Sequence, residues 1–176
     1  MSGGPAGPTD GLGPEGNGWD DAASPAAALG DDASTPTDPP EDRPFWHLAE
    51  LVHWEAAVRR GRYERSTLGA SLQQVGFIHA AYPEQLAAVV RAHFARCADP
   101  LVVLEIDPAR LREHGTDVRL ESGDPSDPSG DRYPHIVGPL PLDAVTRTRP
   151  AVVARGWLDL GPWESVGGVS REAGSD

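Results

Sequence analysis

The most apolar run of the chain, LVVLEI at residues 101–106, is the best candidate for the central strand of a sheet. Asp107 and Pro108 follow it directly and supply an N-cap and a first-turn proline for a short helix through Leu111. No strand–helix unit of this kind is strictly repeated along the chain. The pattern therefore disfavours a parallel doubly wound sheet.

Two main helices are predicted ahead of that strand. Leu51, Trp54 and Val58 are spaced three and four residues apart, which indicates a helix, and Gly61 suits its C-terminus. Pro83 is well placed as the first residue of the second helix. The apolar stripe of that second helix comprises Leu86, Val89, Val90, His93, Phe94 and Cys97.

Short strand-like segments make up most of the remaining pattern. They are FWHLAE at 45–50, FIHA at 77–80, the alternating DVRLES at 117–122, and three segments that begin at 135, 143 and 151. Prolines at 134, 139, 141 and 150 interrupt this last region, so we predict that its strands are short and broken. The predicted fold class is α+β, with small mixed or antiparallel sheets and two main helices.

The first 42 residues hold nine acidic residues and no basic residue, and they contain no Ile, Val or Phe. A segment so dense in Gly, Pro, Ala, Ser and Asp cannot bury enough apolar surface to offset its ordering entropy. We therefore predict a disordered acidic tail at 1–43, a single α+β domain at 44–163 and a second disordered tail at 164–176.

Deletion of residues 1–42 is expected to leave the melting temperature unchanged within error, because these residues have almost nothing to bury. Differential scanning calorimetry of the full chain and of the deletion variant checks this expectation. A drop of several degrees in the variant would show that the tail packs on the domain.

The charge outside the acidic tail is nearly balanced, since 18 of the 27 acidic residues and all 15 basic residues lie in 43–176. No basic patch is present, which disfavours nucleic-acid binding through phosphate contacts. The chain shows neither a signal-peptide pattern nor a membrane span, and its single cysteine, Cys97, fits a cytoplasmic protein. Glycine-rich phosphate loops, C-x-x-C, H-E-x-x-H and G-x-S-x-G are absent, which excludes the enzyme classes that they define.

Three of the six histidines, His47, His79 and His135, lie in or beside short strand-like runs. Together with Glu121 on a predicted strand face, they could converge on one cleft. Each could instead be a hydrogen-bonded structural histidine. Three imidazoles with an open position also suit catalytic zinc, but their spacing gives no support for a metal site, and none is expected.

Two longer phrases of the sequence carry a family resemblance. GFIHAAYPEQ at 76–85 and YPHIVGPLPLDAV at 133–145, with WHLAELVHWEAA and LVVLEIDPARL before and between them, resemble the bacterial family known as domain of unknown function 952. The resemblance covers about 45 to 155 and excludes both tails. Ala80 and Ala81 stand where that family has Cys-Ser, and Val137 stands where it has Tyr.

The resemblance implies an ADP-ribosyltransferase-like fold, in which NAD lies in a cleft between two small antiparallel sheets. In that fold a first-strand residue holds the ribose hydroxyls, which would be His47, and a second-strand residue lies beside the nicotinamide ribose, which would be His79. Glu121 or His135 would fill a third position. The implied catalytic residues are thus His47, His79 and Glu121, and the implied ligand-binding residues are His135, Tyr63 and Gln85.

Two functions follow from this resemblance. The first is an NAD-using enzyme, either ADP-ribosyltransferase-like or NAD glycohydrolase-like, with NAD as substrate and without a metal. The second is a catalytically inactive module of the same fold that binds a nucleotide or a partner protein.

Overall fold

The computed structural model describes residues 42–166, apart from 125 and 128. Within these residues the chain forms antiparallel sheets and a few short helices, so the predicted α+β class is confirmed at this level. Residues 1–41 and 167–176, on which most of the two predicted disordered tails falls, lie outside the described residues.

The described elements are as follows. The strands are β1 Phe45–Glu50, β2 Arg62–Tyr63, β3 Arg65–Thr67, β4 Ala70–Ser71, β5 Ile78–His79, β6 Leu101–Ile106, β7 Asp117–Ser122, β8 Arg132–Val137, β9 Leu140–Pro141, β10 Val145–Ala154, β11 Trp157–Leu160 and β12 Glu164–Ser165. The α-helices are α1 Leu51–Arg60, α2 Leu72–Val75, α3 Leu86–Val89 and α4 Pro108–Glu113. Short 3-10 helices cover Pro83–Gln85 and Leu142–Ala144, and a π-helical turn covers Val90–Phe94.

The main sheet has the strand order β1-β6-β10-β11, and β12 also pairs with β10. As predicted, β6 is a central strand, because it pairs antiparallel with β1 on one side and with β10 on the other. Val102 and Leu104 pack into a core cluster on one face, whereas Leu101 and Val103 pack into a second cluster on the opposite face. Apolar side chains on both faces explain why this run reads as continuously hydrophobic.

The prediction that Pro150 breaks a strand is wrong. Strand β10 runs for ten residues through Pro150, which lies opposite Val102 of β6. The Pro150 carbonyl accepts a hydrogen bond from the Gly161 N–H at 2.8 Å on the outer side of β10. The N and O atoms of a strand residue point to the same side, so the missing N–H faces away from β6 and the ladder between β6 and β10 loses no bond.

A smaller antiparallel sheet has the order β5-β8-β7. Its register pairs Ile78 with Ile136 and His79 with His135. Ile78 and Ile136 belong to the main core, so their neighbours in the alternating pattern face the other way. Pro134 also lies within a strand, β8, where its carbonyl accepts the Ala80 N–H at 2.9 Å.

The two sheets meet where Trp46 of β1 forms a bridge with Ala81, just after β5. Trp46 N–H donates to the Ala81 carbonyl and Ala81 N–H donates to the Trp46 carbonyl, each at 2.8 Å. This pair of bonds holds the edge of the main sheet next to the first strand of the small sheet. It thereby brings β1 and β5, which carry two of the predicted site histidines, side by side.

The first predicted helix is confirmed as α1, which ends at Gly61 in the left-handed conformation with a φ of 83°. The second predicted helix is present but irregular, since a 3-10 turn, α3 and a π-helical turn follow one another over Pro83–Phe94. Its apolar stripe is buried against the main sheet at Leu86, Val90, Phe94 and Cys97. Among the described residues, no helix is both long and apolar enough to cross a lipid bilayer.

The described part of the predicted C-terminal tail contains β12. In this strand, Glu164 and Ser165 pair with Thr148 and Arg147 of β10. The main sheet therefore extends to Ser165, two residues beyond the predicted domain boundary at 163.

Candidate functional site

The three histidines that the sequence singles out come together where the two sheets meet. His47 lies on β1, His79 on β5 and His135 on β8, and they are 2 %, 7 % and 7 % exposed. The cross-strand pairing of His79 with His135 and the bridge between Trp46 and Ala81 explain this convergence. Each histidine nevertheless has a different environment.

Both ring nitrogens of His47 are engaged by the protein. Its Nδ1 lies 2.6 Å from the His79 carbonyl oxygen, which can only accept, so Nδ1 carries the proton and donates. Its Nε2 lies 2.9 Å from the Tyr63 hydroxyl, which therefore donates to it. Burial lowers the pKa of His47 to about 4. His47 and Tyr63, both predicted to contact a ligand, instead form a buried link that holds the backbone of His79.

His79 is held by a serine that the sequence analysis did not single out. Ser66, which is fully buried on β3, lies with its Oγ 2.9 Å from His79 Nδ1. Burial, followed by the nearby charge of His135, lowers the pKa of His79 to about 3. The ring is therefore neutral at physiological pH. No sequence signal marks Ser66, because β3 is three residues long and its burial does not alternate.

His135 and Glu121, the two alternatives for the third position, form one pair. His135 Nδ1 lies 2.7 Å from Glu121 Oε2, and the Glu121 side chain is 46 % exposed. Burial lowers the pKa of His135, and the bond to Glu121 opposes that shift. A carboxylate oxygen accepts, so Nδ1 carries the proton and Nε2 presents a lone pair. Among the described residues, His135 Nε2 makes no hydrogen bond.

An aromatic ring that the sequence analysis also missed packs against both histidines. Phe77 stacks on His135 with ring centroids 4.0 Å apart and a 15° interplanar angle. The same ring lies 4.6 Å from His79, and the two imidazoles are 5.2 Å apart at 74°. Phe77 thus fixes the orientation of the two rings relative to each other.

The Gln85 side chain bonds to two backbone groups and is not grouped with the histidines. Its Oε1 accepts the Tyr82 N–H at 2.9 Å, which satisfies a free donor at the start of the 3-10 helix. Its Nε2 donates to the Arg132 carbonyl at 2.9 Å. Gln85 therefore ties the helix start to the first residue of β8.

The small sheet presents a polar face opposite the core. Its polar face consists of His79, His135, Arg119, Glu121 and Tyr133, which share one side of the sheet by register and alternation. Arg119 lies directly opposite His135, and Tyr133 lies opposite Glu121. The Arg119 guanidinium is a donor, His135 Nε2 is an acceptor and Glu121 is a carboxylate, and all three lie on the face over which a small ligand could bind.

The cavity next to the polar face is small. It is lined by residues that include Trp46, His47, Ser66, Thr67, His79 and Phe94, and its volume is about 20 Å³. Such a volume holds about one water molecule. A larger ligand does not fit in this cavity, whereas the polar face is open to solvent at Glu121, whose side chain is 46 % exposed.

A metal centre has no support in the geometry. Within the described part of the chain, no group of three or more His, Cys, Asp or Glu side chains could hold a metal ion. The three histidines converge, but the protein itself uses both nitrogens of His47 and the Nδ1 atoms of the other two.

The buried histidines predict a loss of stability in acid. An unfolded histidine has a pKa of about 6.5, whereas His79 in the fold titrates near 3, so the unfolded chain binds more protons between these values. The contribution of His79 is fully present above pH ~6.5 and falls as the pH drops, by at most about 1.4 kcal/mol per pH unit. Urea denaturation from pH 7 to pH 4 should show a smaller loss for His79→Asn than for wild type. Equal losses would contradict the assignment.

Comparisons with known proteins agree with this architecture. The crystal structure of protein CC0527 from Caulobacter crescentus is similar, with a TM-score of 0.54 and 28% identity, and the match covers 66% of this chain and 94% of that one. The structure of a double mutant of the same protein gives a TM-score of 0.53 and 27% identity over the same shares. No protein with a curated description matches the sequence.

The family comparison covers most of the region that builds the site, and His47 lies one residue before the match. The model of the family described as "Protein of unknown function (DUF952)" matches residues 48–148, which is more than half of the 176 residues. The matched region runs from the middle of β1 into β10, so it includes His79, Glu121 and His135. The chain belongs to the DUF952 family.

Proposed function

We propose that the protein binds a nucleotide of the NAD type over the polar face of the small sheet and cleaves its nicotinamide–ribose bond. The observation that carries the proposal is the pair formed by Glu121 and His135, 2.7 Å apart and next to His79. A buried imidazole whose proton position is fixed by a carboxylate is a suitable general base. The half-exposed carboxylate is suited to a ligand that develops positive charge.

The chemistry needs only groups that the polar face supplies. As the bond from C1′ of the ribose to the nicotinamide nitrogen breaks, its electron pair neutralises the pyridinium, and positive charge develops on the sugar. Glu121 stabilises that charge. A hydroxyl of an acceptor, or water, forms the new bond to C1′ and gives its proton to Nε2 of His135. The products are nicotinamide and an ADP-ribosylated acceptor or free ADP-ribose.

The arrangement of the sheets gives further support. An ADP-ribosyltransferase-like fold holds NAD between two small antiparallel sheets, and here two antiparallel sheets meet at the bridge between Trp46 and Ala81. His47 acts in this proposal as a positioning residue rather than as a ribose ligand, because its two nitrogens bond to His79 and Tyr63. This fold relationship is an analogy, and the reaction rests on the site residues.

A thermal-shift screen with NAD, ADP-ribose and nicotinamide mononucleotide tests the proposal. A ligand that binds only the native state stabilises it, by about 2.7 kcal/mol when its concentration is 100 times its Kd. We expect NAD and ADP-ribose to raise the melting temperature. No shift with any of the three nucleotides at millimolar concentration would reject the proposal.

A second candidate is a catalytically inactive module that binds a nucleotide. The small cavity beside His79 and the full engagement of His47 favour it, because they leave few free groups in the interior of the site. Chromatography of the nicotinamide released from NAD separates the two functions. Binding without release supports the inactive module, and binding with release supports the enzyme.

A further inference from the structure

Arg65, on β3, carries a partly buried positive charge without a partner. Its Nε is the one buried side-chain nitrogen or oxygen without a hydrogen-bond partner among the described residues. No ion pair or hydrogen bond joins its guanidinium to any other described side chain or backbone group. The two terminal nitrogens are not among the fully buried atoms that lack a partner, so they keep some contact with solvent.

A second partly buried arginine is paired, and so is an exposed arginine close to Arg65 in the chain. Arg149, also partly buried, donates from Nε to the Gly161 carbonyl at 2.9 Å. Arg62, three residues before Arg65, lies 3.2 Å from Glu64. A buried unpaired donor on a charged group costs free energy, and such a group in a folded protein calls for an explanation. A ligand at the terminal N–H groups leaves Nε itself unpaired, but it supplies the counter-charge that this partly buried guanidinium lacks among the described residues.

The surroundings of Arg65 connect it to the candidate site. Its positive charge lowers the pKa of the Tyr63 hydroxyl, although burial, the larger effect, raises that pKa overall. Tyr63 bonds to His47, which in turn bonds to the backbone of His79. The next residue on β3 is Ser66, which holds the His79 ring. Arg65 therefore lies on the same strand as the serine that holds His79, and its charge acts on the tyrosine that bonds to His47.

The guanidinium selects the chemistry of the ligand. A planar fork of N–H donors matches two oxygens of one phosphate group, and an arginine is always charged. A carboxylate also lies nearby, since the charge of Glu50 raises the pKa of the Tyr63 hydroxyl. Glu50 has other partners, because it accepts a hydrogen bond from the Gly69 N–H and lies 3.5 Å from His53. The terminal nitrogens of Arg65 remain available.

We propose that Arg65 is the anchor of an oxyanion site that receives a phosphate group, as inorganic phosphate or pyrophosphate or as the diphosphate of a nucleotide. The terminal N–H groups donate hydrogen bonds to two phosphate oxygens from the solvent side, while the partly buried side chain keeps the guanidinium in place. The inference deepens the proposed function, and only the identification of the ligand as a nucleotide rests on that function.

Isothermal titration calorimetry with inorganic pyrophosphate tests the site. Wild type is expected to bind pyrophosphate. Arg65→Gln is expected to bind it at least about tenfold more weakly, because the paired N–H donors of the guanidinium are lost. Arg62→Gln is the matched control, since it removes an exposed arginine of the same hairpin region that is already paired. Equal affinity of wild type and Arg65→Gln, or no binding by wild type, would overturn the proposal.

Further experiments identify the source of the phosphate and cover the case in which Arg65→Gln does not fold. Arg65→Lys keeps the charge without the fork, and a weaker affinity than wild type in this variant supports the site if Arg65→Gln does not fold. Tighter binding of ADP than of pyrophosphate, with no binding of adenosine, identifies a nucleotide. If pyrophosphate binds through Arg65 and NAD does not bind, the proposed function fails and the oxyanion site stands. If pyrophosphate binds through Arg65 but NAD binds equally to wild type and Arg65→Gln, the identification of the ligand as a nucleotide fails, and the oxyanion site and the proposed function both stand.

Discussion

Replacing Phe94 by alanine is expected to lower the free energy of unfolding by about 3–5 kcal/mol. Phe94 is 2 % exposed and packs with Leu86, Val90 and Val103 in the cluster between the irregular helix and the main sheet. Removing the ring costs its transfer free energy, and the cavity that remains adds to the loss because the sheet cannot collapse onto it. Urea denaturation monitored by circular dichroism gives the change directly.

The matched control for Phe94 is an apolar residue that the fold leaves exposed. Val152→Ala, on β10, should change the free energy of unfolding by less than about 0.5 kcal/mol, since 46% of Val152 is exposed. Similar effects of the two substitutions would mean that the helix does not pack on the sheet as described. The irregular helical segment would then need a different partner.

Replacing Glu121 by glutamine is expected to lower the rate of nicotinamide release from NAD by about 10²–10³-fold. The substitution keeps the shape of the side chain but removes the charge that stabilises the developing ribose cation and orients the proton of His135. Because the Glu121 side chain is half exposed, the stability of the fold should change little. Chromatographic measurement of nicotinamide over time gives the rate.

Another histidine–carboxylate pair provides the control for Glu121. His114 Nε2 lies 2.8 Å from Asp143 Oδ2 on the surface, and Asp143→Asn alters that pair in the same way. This variant should release nicotinamide at the wild-type rate. A rate for Glu121→Gln within about twofold of wild type would exclude Glu121 from the reaction, since loss of a group that stabilises charge in the transition state costs far more.

The elements that the sequence predicts best are those fixed by their own side chains. Strand β6 is apolar on both faces, and α1 has helical spacing with a glycine at its end, so both can be read locally. The predicted break at Pro150 is wrong because a sequence does not show to which side of a strand a missing N–H points. That side depends on how β11 and β12 share the edge of β10.

The candidate site shows the same division. The sequence singles out His47, His79 and His135 as residues that could converge, because each lies in or beside a strand-like run of one small domain. It cannot predict the partners of these histidines, since such contacts depend on the register between strands that are distant in the chain. The partners are Tyr63 for His47, Ser66 for His79 and Phe77 for His135. The contact between Glu121 and His135 likewise depends on the register of β7 and β8, which the sequence does not show.

The central claim is that the polar face around His79 and His135 holds the nucleotide, and calorimetric titration of NAD tests it most directly. His79→Asn can keep the hydrogen bond to Ser66 through its amide while removing the outer edge of the ring. We expect wild type and the surface control His114→Asn to bind one NAD per chain with equal affinity. His79→Asn should bind NAD at least about tenfold more weakly, which is the effect expected for the loss of a buried polar contact. No heat with wild type, or the same affinity in all three proteins, would contradict the claim.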